Sequence, residues 1–436
     1  MAPPISETTI QHHATENSFS RGEDYYHQGA VTDLVQRGNT IDAEVEGSEV
    51  APYRISIQFD SGGVTSVRCT CPYDYEGWCK HVVAAALTWV RQPNRIELRP
   101  TLSQLLDRLD HLQTQRLVQA LVEKQPELID AVDRQVMLMS NPAVPTQVTA
   151  PRRRTTLDVA PFRLQVKHIL REGVRSLEEG YEDDPFTDEL LSVIEKAQAF
   201  ARSEDGNSAI AILEAITETC VEEWEDLRDY GGDSFPIAES LNQAWTETIL
   251  SAELEADGAV DLQVMLAEWQ DVLDGDFSMS LAALHQGWTD PDLQRALQGS
   301  QYSDPERLNA PGDQDLALLR LQILARPGRQ TEYLNLARTS GLMLQYLTRL
   351  AQIGNTDEAM TAARERMTTA EEAFALAKTL REKNHLSEAL AIARTGMPLP
   401  GNCRYALASW TSELASGLGN REAALDASIL ASQDSP

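Results

Sequence analysis

The first hundred residues alternate apolar and polar positions in short runs. The runs lie at residues 31–36, 40–45, 53–59 and 64–68, and the third reads Tyr53-Arg54-Ile55-Ser56-Ile57-Gln58-Phe59. Such alternation predicts half-buried β-strands, and glycine-containing turns such as Asp60-Ser61-Gly62-Gly63 separate the runs. We therefore predict a small antiparallel sheet within residues 16–92, preceded and followed by helices.

Helical periodicity replaces this alternation from Thr101 onward. Thr101 and Gln104 form a capping-box pattern ahead of a leucine-rich stretch, which predicts a helical extension over residues 93–139. Residues 140–161 contain four prolines and are interpreted as a linker. The fold class predicted is an α+β module followed by a mostly all-α region over residues 162–436. The polar residues 1–15 are expected to form a disordered tail.

Three segments of the helical region resemble one another. Each contains a helix end, a Gly/Asn turn and a second helix that opens with an acidic residue and an alanine; they lie at residues 350–360, 380–390 and 418–425. The alanines aligned in this way, Ala359, Ala389 and Ala424, are 30 and 35 residues apart, which is typical of helix-turn-helix solenoids. The segments resemble the tetratricopeptide class, whose fuller consensus they do not match. A helical-repeat region is therefore predicted.

Charge is distributed unevenly along the chain. The formal net charge is −30, and residues 172–278 contain 29 acidic and 4 basic side chains, whereas residues 151–171 contain six basic and one acidic. The negative electrostatic field of such a chain repels phosphate backbones. Any contact with nucleic acid would therefore have to be confined to a small part of the surface. Acidic pairs such as Glu222-Glu223 are interpreted as solvated helix faces rather than cation sites.

Neither a membrane span nor a secretory segment is evident in the sequence. No stretch reaches the apolar length that a span requires, and the first residues lack the basic-then-apolar layout of a signal peptide. We therefore expect a cytoplasmic protein, in a compartment where thiols stay reduced.

One short stretch concentrates three thiols and an imidazole within thirteen residues, at Cys69, Cys71, Cys79 and His81. Zinc binds thiolate and imidazole ligands in a closed tetrahedron, and three cysteines with one histidine is one of its structural sets. A Cys-x-Cys pair places two side chains on one side of a turning backbone, and a Cys-x-His pair at a helix start can close the shell. The pattern predicts one structural zinc ion, because the module is too small to be stable by burial alone.

Two other interpretations of these cysteines are open. They could be small buried residues of a metal-free hairpin, or they could form a disulfide. Three cysteines cannot all pair internally, and redox chemistry fits a Cys-x-x-Cys spacing better than the one present. Zinc binding is therefore favoured.

The order Cys-x-Cys, short loop, Cys-x-His, with strands before it and an apolar helix after it, resembles the SWIM zinc finger family. Placed on this sequence, the family's ligands correspond to Cys69, Cys71, Cys79 and His81, and the resemblance covers residues 16–92. It implies zinc binding and contacts with DNA or with other proteins, and it implies no catalytic activity.

The sequence contains no motif typical of a common enzyme class. A phosphate-binding glycine loop, a Gly-x-Ser-x-Gly elbow and a His-Glu-x-x-His motif are all absent from it. We expect a non-catalytic interaction protein with a protein partner and no small-molecule substrate. The alternative is a nucleic-acid-associated factor whose finger contacts DNA, which requires five cations to be exposed on one face: Arg68, Lys80, Arg91, Arg95 and Arg99.

Overall fold

The computed structural model of the chain describes residues 5–49, 51–75, 77–126, 128–129, 132, 158–179, 186–203, 205–229, 232–252, 254, 256–300, 313–325 and 328–433. The chain divides into two compact units. The first combines Met1–Pro142 with Gly354–Pro436, and the second is Ala143–Ile353. The single helical region predicted for residues 162–436 is therefore divided between the two units. Most of the predicted linker lies outside the described residues.

A five-stranded sheet forms the centre of the first unit, in the order β4-β3-β2-β1-β5. The strands are β1 (Val31–Arg37), β2 (Thr40–Val45), β3 (Tyr53–Asp60), β4 (Gly63–Cys69) and β5 (Glu97–Leu98). The first four are antiparallel neighbours, as the alternation predicts, and β5 pairs in parallel with β1. The α+β class is confirmed. The fifth strand replaces the start of the predicted helical extension, because two residues are too few to show an alternating pattern.

Helix α3 (Lys80–Arg91) covers the inner face of this sheet. Every residue from His81 to Trp89 is buried, and the sheet contributes buried side chains at alternate positions, such as Ile55 and Ile57 on β3. Full burial of an isoleucine or leucine side chain contributes about 1.5–3 kcal/mol. The helix that carries one predicted ligand is therefore held firmly against the strand that carries another.

Two helices precede the sheet, α1 (Glu7–His13) and α2 (Glu16–His27). The expectation of a disordered tail over residues 1–15 is thus incorrect for its described part. The Ser6 side chain caps α1 by accepting a hydrogen bond from the Thr9 backbone. Ile5 and Ile10 are fully buried in the same core as the sheet. Burial of these two side chains stabilises a segment whose remaining composition is polar.

After the sheet come two further helices, α4 (Leu102–Leu106) and α5 (His111–Lys124), each with a complete capping box. The box that Thr101 and Gln104 form is the one the sequence predicts. None of the residues of either helix is buried.

The second unit is helical in its described part. Its helices are α6 (Ala160–Glu178), α7 (Thr187–Arg202), α8 (Gly206–Asp229), α9 (Phe235–Ser251), α10 (Ala256–Leu273), α11 (Ser278–Gln286), α12 (Pro291–Leu297), α13 (Asp313–Leu324), α14 (Gln330–Thr339) and α15 (Met343–Gln352). Trp224 and Trp245 are buried in its core, and the Trp245 indole donates to the Thr217 hydroxyl at 3.0 Å.

Basic side chains of α6 neutralise part of the acidic helix α8. Arg163 pairs with Glu218, and Lys167 lies 2.5 Å from a carboxylate oxygen of Glu223. The basic stretch before the acidic segment therefore acts as an intramolecular counter-charge where it is described, whereas Arg152-Arg153-Arg154 lies outside the described residues.

Five helices complete the first unit: α16 (Thr356–Arg366), α17 (Ala370–Glu382), α18 (Leu386–Gly396), α19 (Arg404–Gly417) and α20 (Arg421–Gln433). The turn before α18 places Asn384 at φ +64°, and that before α20 places Gly419 at φ +76°. Such left-handed residues end helices, so the predicted turns are confirmed. One alignment is corrected: the third buried alanine is Ala423, not Ala424.

The turn between β3 and β4 packs directly against α17 and α19. Arg381 of α17 makes two hydrogen bonds to the carboxylate of Asp60, at 2.8 and 2.9 Å, and both side chains are largely buried. Gly62 touches Gly417 so closely that a Cβ on Gly417 would lie 2.3 Å from the Gly62 carbonyl oxygen. The predicted boundary between finger and helical repeats is thus a packed contact.

We expect Arg381→Ala to lower the free energy of unfolding of the first unit by about 3 kcal/mol, because it leaves a buried carboxylate unpaired. Calorimetry of the full chain measures the effect, and Asp60→Ala combined with Arg381→Ala should cost less than the sum of the single changes. The exposed Arg364 of α16 provides the matched control, with an expected effect of arginine to alanine within about 0.5 kcal/mol. Additive single effects would contradict the pairing.

Candidate metal centre

Three consecutive pieces of the chain carry the four predicted ligands. Cys69 is the last residue of β4, and Cys71 follows it in the loop. Cys79 is the N-cap of α3, and His81 lies in the first turn of that helix. The structure brings all four together, with their ligand atoms within 4.8 Å of one another.

The arrangement fits a tetrahedral metal ion. The His81 Nδ1 atom lies 4.0 Å from the sulfur of Cys69 and 4.0 Å from that of Cys79, near the nitrogen–sulfur edge of about 3.6 Å in a tetrahedron built on zinc–sulfur and zinc–nitrogen bonds. The other ring nitrogen is buried and has no hydrogen-bond partner among the described residues. Within the described ranges, these four residues form the only grouping of three or more His, Cys, Asp or Glu side chains placed to hold a metal.

The electrostatics of the cluster favour a thiolate at Cys79. A hydrogen bond from Cys69 lowers the pKa of the Cys79 thiol to about 4 and raises the pKa of Cys69 itself. Burial raises the pKa of Cys71. Cys79 also lies at the N-terminus of α3, where the helix dipole stabilises negative charge. A divalent cation that binds here replaces protons on the remaining thiols and cancels repulsion among three sulfurs.

Helix α1 fixes the loop that carries Cys79. The Trp78 backbone donates to the His13 carbonyl oxygen at 2.7 Å, and the two rings stack with centroids 5.0 Å apart. Gly77 has φ +85°, and a Cβ at this position would lie 2.7 Å from the same carbonyl oxygen. Only glycine meets both requirements without strain. The contact between His13 and the loop is not predicted by the sequence, because the polar residues 1–15 are interpreted there as a disordered tail.

His13 and the preceding residue, His12, both face the C-terminal helices. The Nε2 atoms of His12 and His13 lie 3.7 and 3.6 Å from one carboxylate oxygen of Glu413 on α19. Burial lowers the pKa of His13, and the nearby Glu413 carboxylate opposes that shift. The metal-binding loop, α1 and α19 therefore form one chain of contacts.

Aromatic rings shield part of the centre. Tyr53 and Tyr25 pack on the His81 ring with centroid distances of 4.3 and 5.4 Å, and Trp78 is buried. Tyr75 is 77% exposed, because the loop turns this side chain into solvent. A cleft of about 540 Å³ opens beside the cluster, and Tyr75 lies on its wall.

Comparison with known proteins identifies this part of the chain. Residues 53–89 match the SWIM zinc finger family. The match begins with β3 and ends within α3, so this SWIM finger contains all four ligands and both elements that position them. The predicted resemblance is confirmed for this segment, and the site has the ligands and arrangement of one structural zinc ion.

Relatives with the same finger are much longer proteins. A stretch of 117 residues is 33% identical to zinc finger SWIM domain-containing protein 8 of Homo sapiens and of Bos taurus, and 32% identical to its homolog in Drosophila melanogaster. The stretch covers 26% of this chain but only 6% of the human protein and 8% of the bovine one. No solved structure matches this chain. The similarity therefore covers about a quarter of this chain and a small part of each relative.

Most of the cations that would contact DNA have partners inside the protein. Arg91 binds Glu7 and Glu23, each at 2.9 Å. Arg95 donates to the backbone of β1, and Arg99 pairs with its neighbour Glu97. The five cations named from the sequence therefore do not form one free basic patch.

Within the part of the chain that the structure describes, no helix combines the length and the apolar character that crossing a membrane requires.

We expect Cys79→Ser to abolish zinc binding and to destabilise the whole first unit. A structural zinc contributes about 10–16 kcal/mol of apparent binding free energy in finger peptides, and here the loop it fixes also contacts α1 and α19. Elemental analysis should find about one zinc per chain in the parent and none in the variant. Hydrogen exchange should rise in residues 53–91 and 404–417 but not in residues 235–251.

Cys403→Ser is the matched control, because this cysteine lies on the first unit outside the cluster. It should retain zinc and the exchange pattern of the parent. Retention of zinc by Cys79→Ser would contradict the ligand assignment.

Zinc binding at pH 7 should release roughly two protons per ion, because the pKa values of Cys69 and Cys71 are raised while that of Cys79 is lowered. Protons compete with zinc for the two thiols whose pKa values are raised. The affinity for zinc therefore falls as the pH falls. Calorimetric titration in buffers of different ionisation enthalpy measures the number released. A binding enthalpy that is independent of the buffer would contradict this description.

Proposed function

We propose that this chain is a zinc-binding, non-catalytic interaction protein of the cytoplasm that contacts another protein through its SWIM finger and its helical pairs. The zinc is structural: it holds β4, the loop and α3 in place. The observation that carries the proposal is the cleft beside the metal centre, a feature that the bound metal keeps in shape.

The composition of this cleft supports a protein contact. Its wall includes Tyr73 and the exposed Tyr75, together with Arg21 and Lys80. Tyrosine and arginine are enriched at the centres of protein interfaces, where they combine a large apolar area with hydrogen bonding. No hydrogen bond or ion pair engages Arg21 within the described part of the chain, so its guanidinium is available to a partner.

The helical pairs support the same role. The pairs α17–α18 and α19–α20 bury small residues such as Ala389 and Ala423 between their helices, which is how helical repeats stack. Because α17 and α19 pack on the β3–β4 turn, the finger and these helices present one continuous surface. An interface that spans both would be larger than the finger alone could offer.

DNA contact by the finger is the second candidate. Arg21 and Lys80 could bind a phosphate backbone, and the exposed ring of Tyr75 beside them could stack on a base. The internal pairing of Arg91 and Arg99 and the net charge of −30 weigh against it. We therefore favour a protein partner.

Affinity capture with the zinc-loaded full chain from extracts of its own cells tests the proposal, with Tyr75→Ala/Arg21→Ala as the variant. We expect nuclease-resistant protein partners whose recovery falls at least about tenfold with this variant, at unchanged zinc content. Phe235→Ala, which removes an exposed aromatic side chain of α9 in the second unit, is the control and should capture as the parent does.

Titration of labelled DNA into the same protein at about 50 and 200 mM salt separates the two candidates. Binding with a steep salt dependence, lost in the double variant, would favour DNA. Partners that are recovered equally with both variants would contradict the assignment of the cleft.

A further inference from the structure

An apolar face without a described neighbour lies just after the sheet, on α4 and α5. Leu102 and Leu112 are exposed by 69% and 64%, and Leu117, Val118 and Leu121 are also exposed. A single helix of fourteen residues is only marginally stable in water, even with a good cap. Exposed apolar patches of this kind mark interaction sites.

One strip of α5 repeats with the spacing of a coiled-coil seam. Its members are separated by four, three, four and three residues, so they lie on one helix face: Asp110, Thr114, Leu117, Leu121 and Lys124. Val118 lies beside this strip. The strip is thus apolar towards its centre, acidic at its first end and basic at its last.

This strip is complementary to its own reverse. If a second α5 lies antiparallel with Leu117 at the two-fold axis, Asp110 of each helix lies beside Lys124 of the other and the two copies of Leu117 meet. Leu121 of each helix then lies opposite Thr114 of the other. Both ion pairs form at once, because a two-fold contact is the same in both directions. The antiparallel arrangement also brings opposite ends of the two helix dipoles together.

The local charge favours a second copy over other occupants. Residues 101–124 contain three acidic and three basic side chains, a balance of zero, in a chain of net charge −30. Two copies repel each other over most of their surface, and this strip is where they can approach without that cost. A basic protein or a nucleic acid would find no net charge of the opposite sign here.

We propose that α5 is a self-association site, on which a second copy of this chain docks in antiparallel orientation about Leu117. The contact is separate from the cleft beside the metal centre and does not depend on the proposed function.

Sedimentation of the zinc-loaded full chain tests the proposal. We expect a reversible dimer at about 50 µM protein, and Leu117→Glu should weaken the association constant by at least about tenfold. Leu164→Glu is the matched control: it changes an equally apolar exposed side chain on α6 of the second unit and should leave the constant within about twofold. Zinc content should stay the same in all three proteins. A parent that stays monomeric at this concentration, or a dimer that persists in Leu117→Glu, would overturn the proposal.

Oxidative cross-linking tests the orientation. A cysteine in place of Leu117 lies at the two-fold axis and should give a disulfide-linked dimer, whereas one in place of Gln119, on the opposite side of α5, should not. Lys124→Cys should also stay unlinked, because the axis separates the two copies of that position. Cross-linking through Lys124→Cys as well as through Leu117→Cys would indicate a parallel pair, in which both positions face their own copies, and would contradict the antiparallel contact.

Discussion

The first unit depends on the close approach of three sulfur atoms and one imidazole. Bringing thiols within 4.8 Å of one another is unfavourable once they ionise, unless a cation neutralises them. A tetrahedral metal ion supplies that charge and, at the same time, joins the end of β4 to the start of α3. The position of the metal therefore determines how the loop runs and where α3 begins, and α3 in turn covers the sheet.

The influence of this centre extends beyond the finger. The Trp78 backbone and ring hold His13, and His13 and its neighbour contact Glu413 on α19. On another side, the buried pair of Asp60 and Arg381 connects the sheet to α17. The finger thus packs directly against the C-terminal helices, and we expect the two parts to fold and unfold together.

Local patterns in the sequence were sufficient to predict the four antiparallel strands, the metal ligands and the glycine or asparagine turns. In each case the pattern lies among neighbouring residues. Apolar and polar residues alternate over Tyr53–Phe59, the metal ligands are closely spaced from Cys69 to His81, and a left-handed residue such as Gly419 marks a turn. The capping box at Thr101 belongs to the same class. Where the cause of a feature lies within a few residues, the sequence alone was informative.

Features whose cause lies far along the chain were not predicted. The pairing of Arg381 with Asp60 joins positions 321 residues apart, and no pattern among neighbouring residues predicts it. Helix α1 is ordered by burial of two isoleucines against a core that only the folded sheet provides, and β5 exists only because β1 offers a free edge. The alignment of the third repeat selects Ala424 instead of Ala423 because both residues are alanines. Only the packing shows which of the two faces the neighbouring helix.

Binding of one zinc ion by three cysteines and one histidine is tested most directly by X-ray absorption at the zinc edge of the purified full chain. We expect one zinc per chain with three sulfur neighbours at about 2.3 Å and one nitrogen at about 2.0–2.1 Å. A shell composed only of oxygen and nitrogen, or protein without stoichiometric zinc, would contradict it.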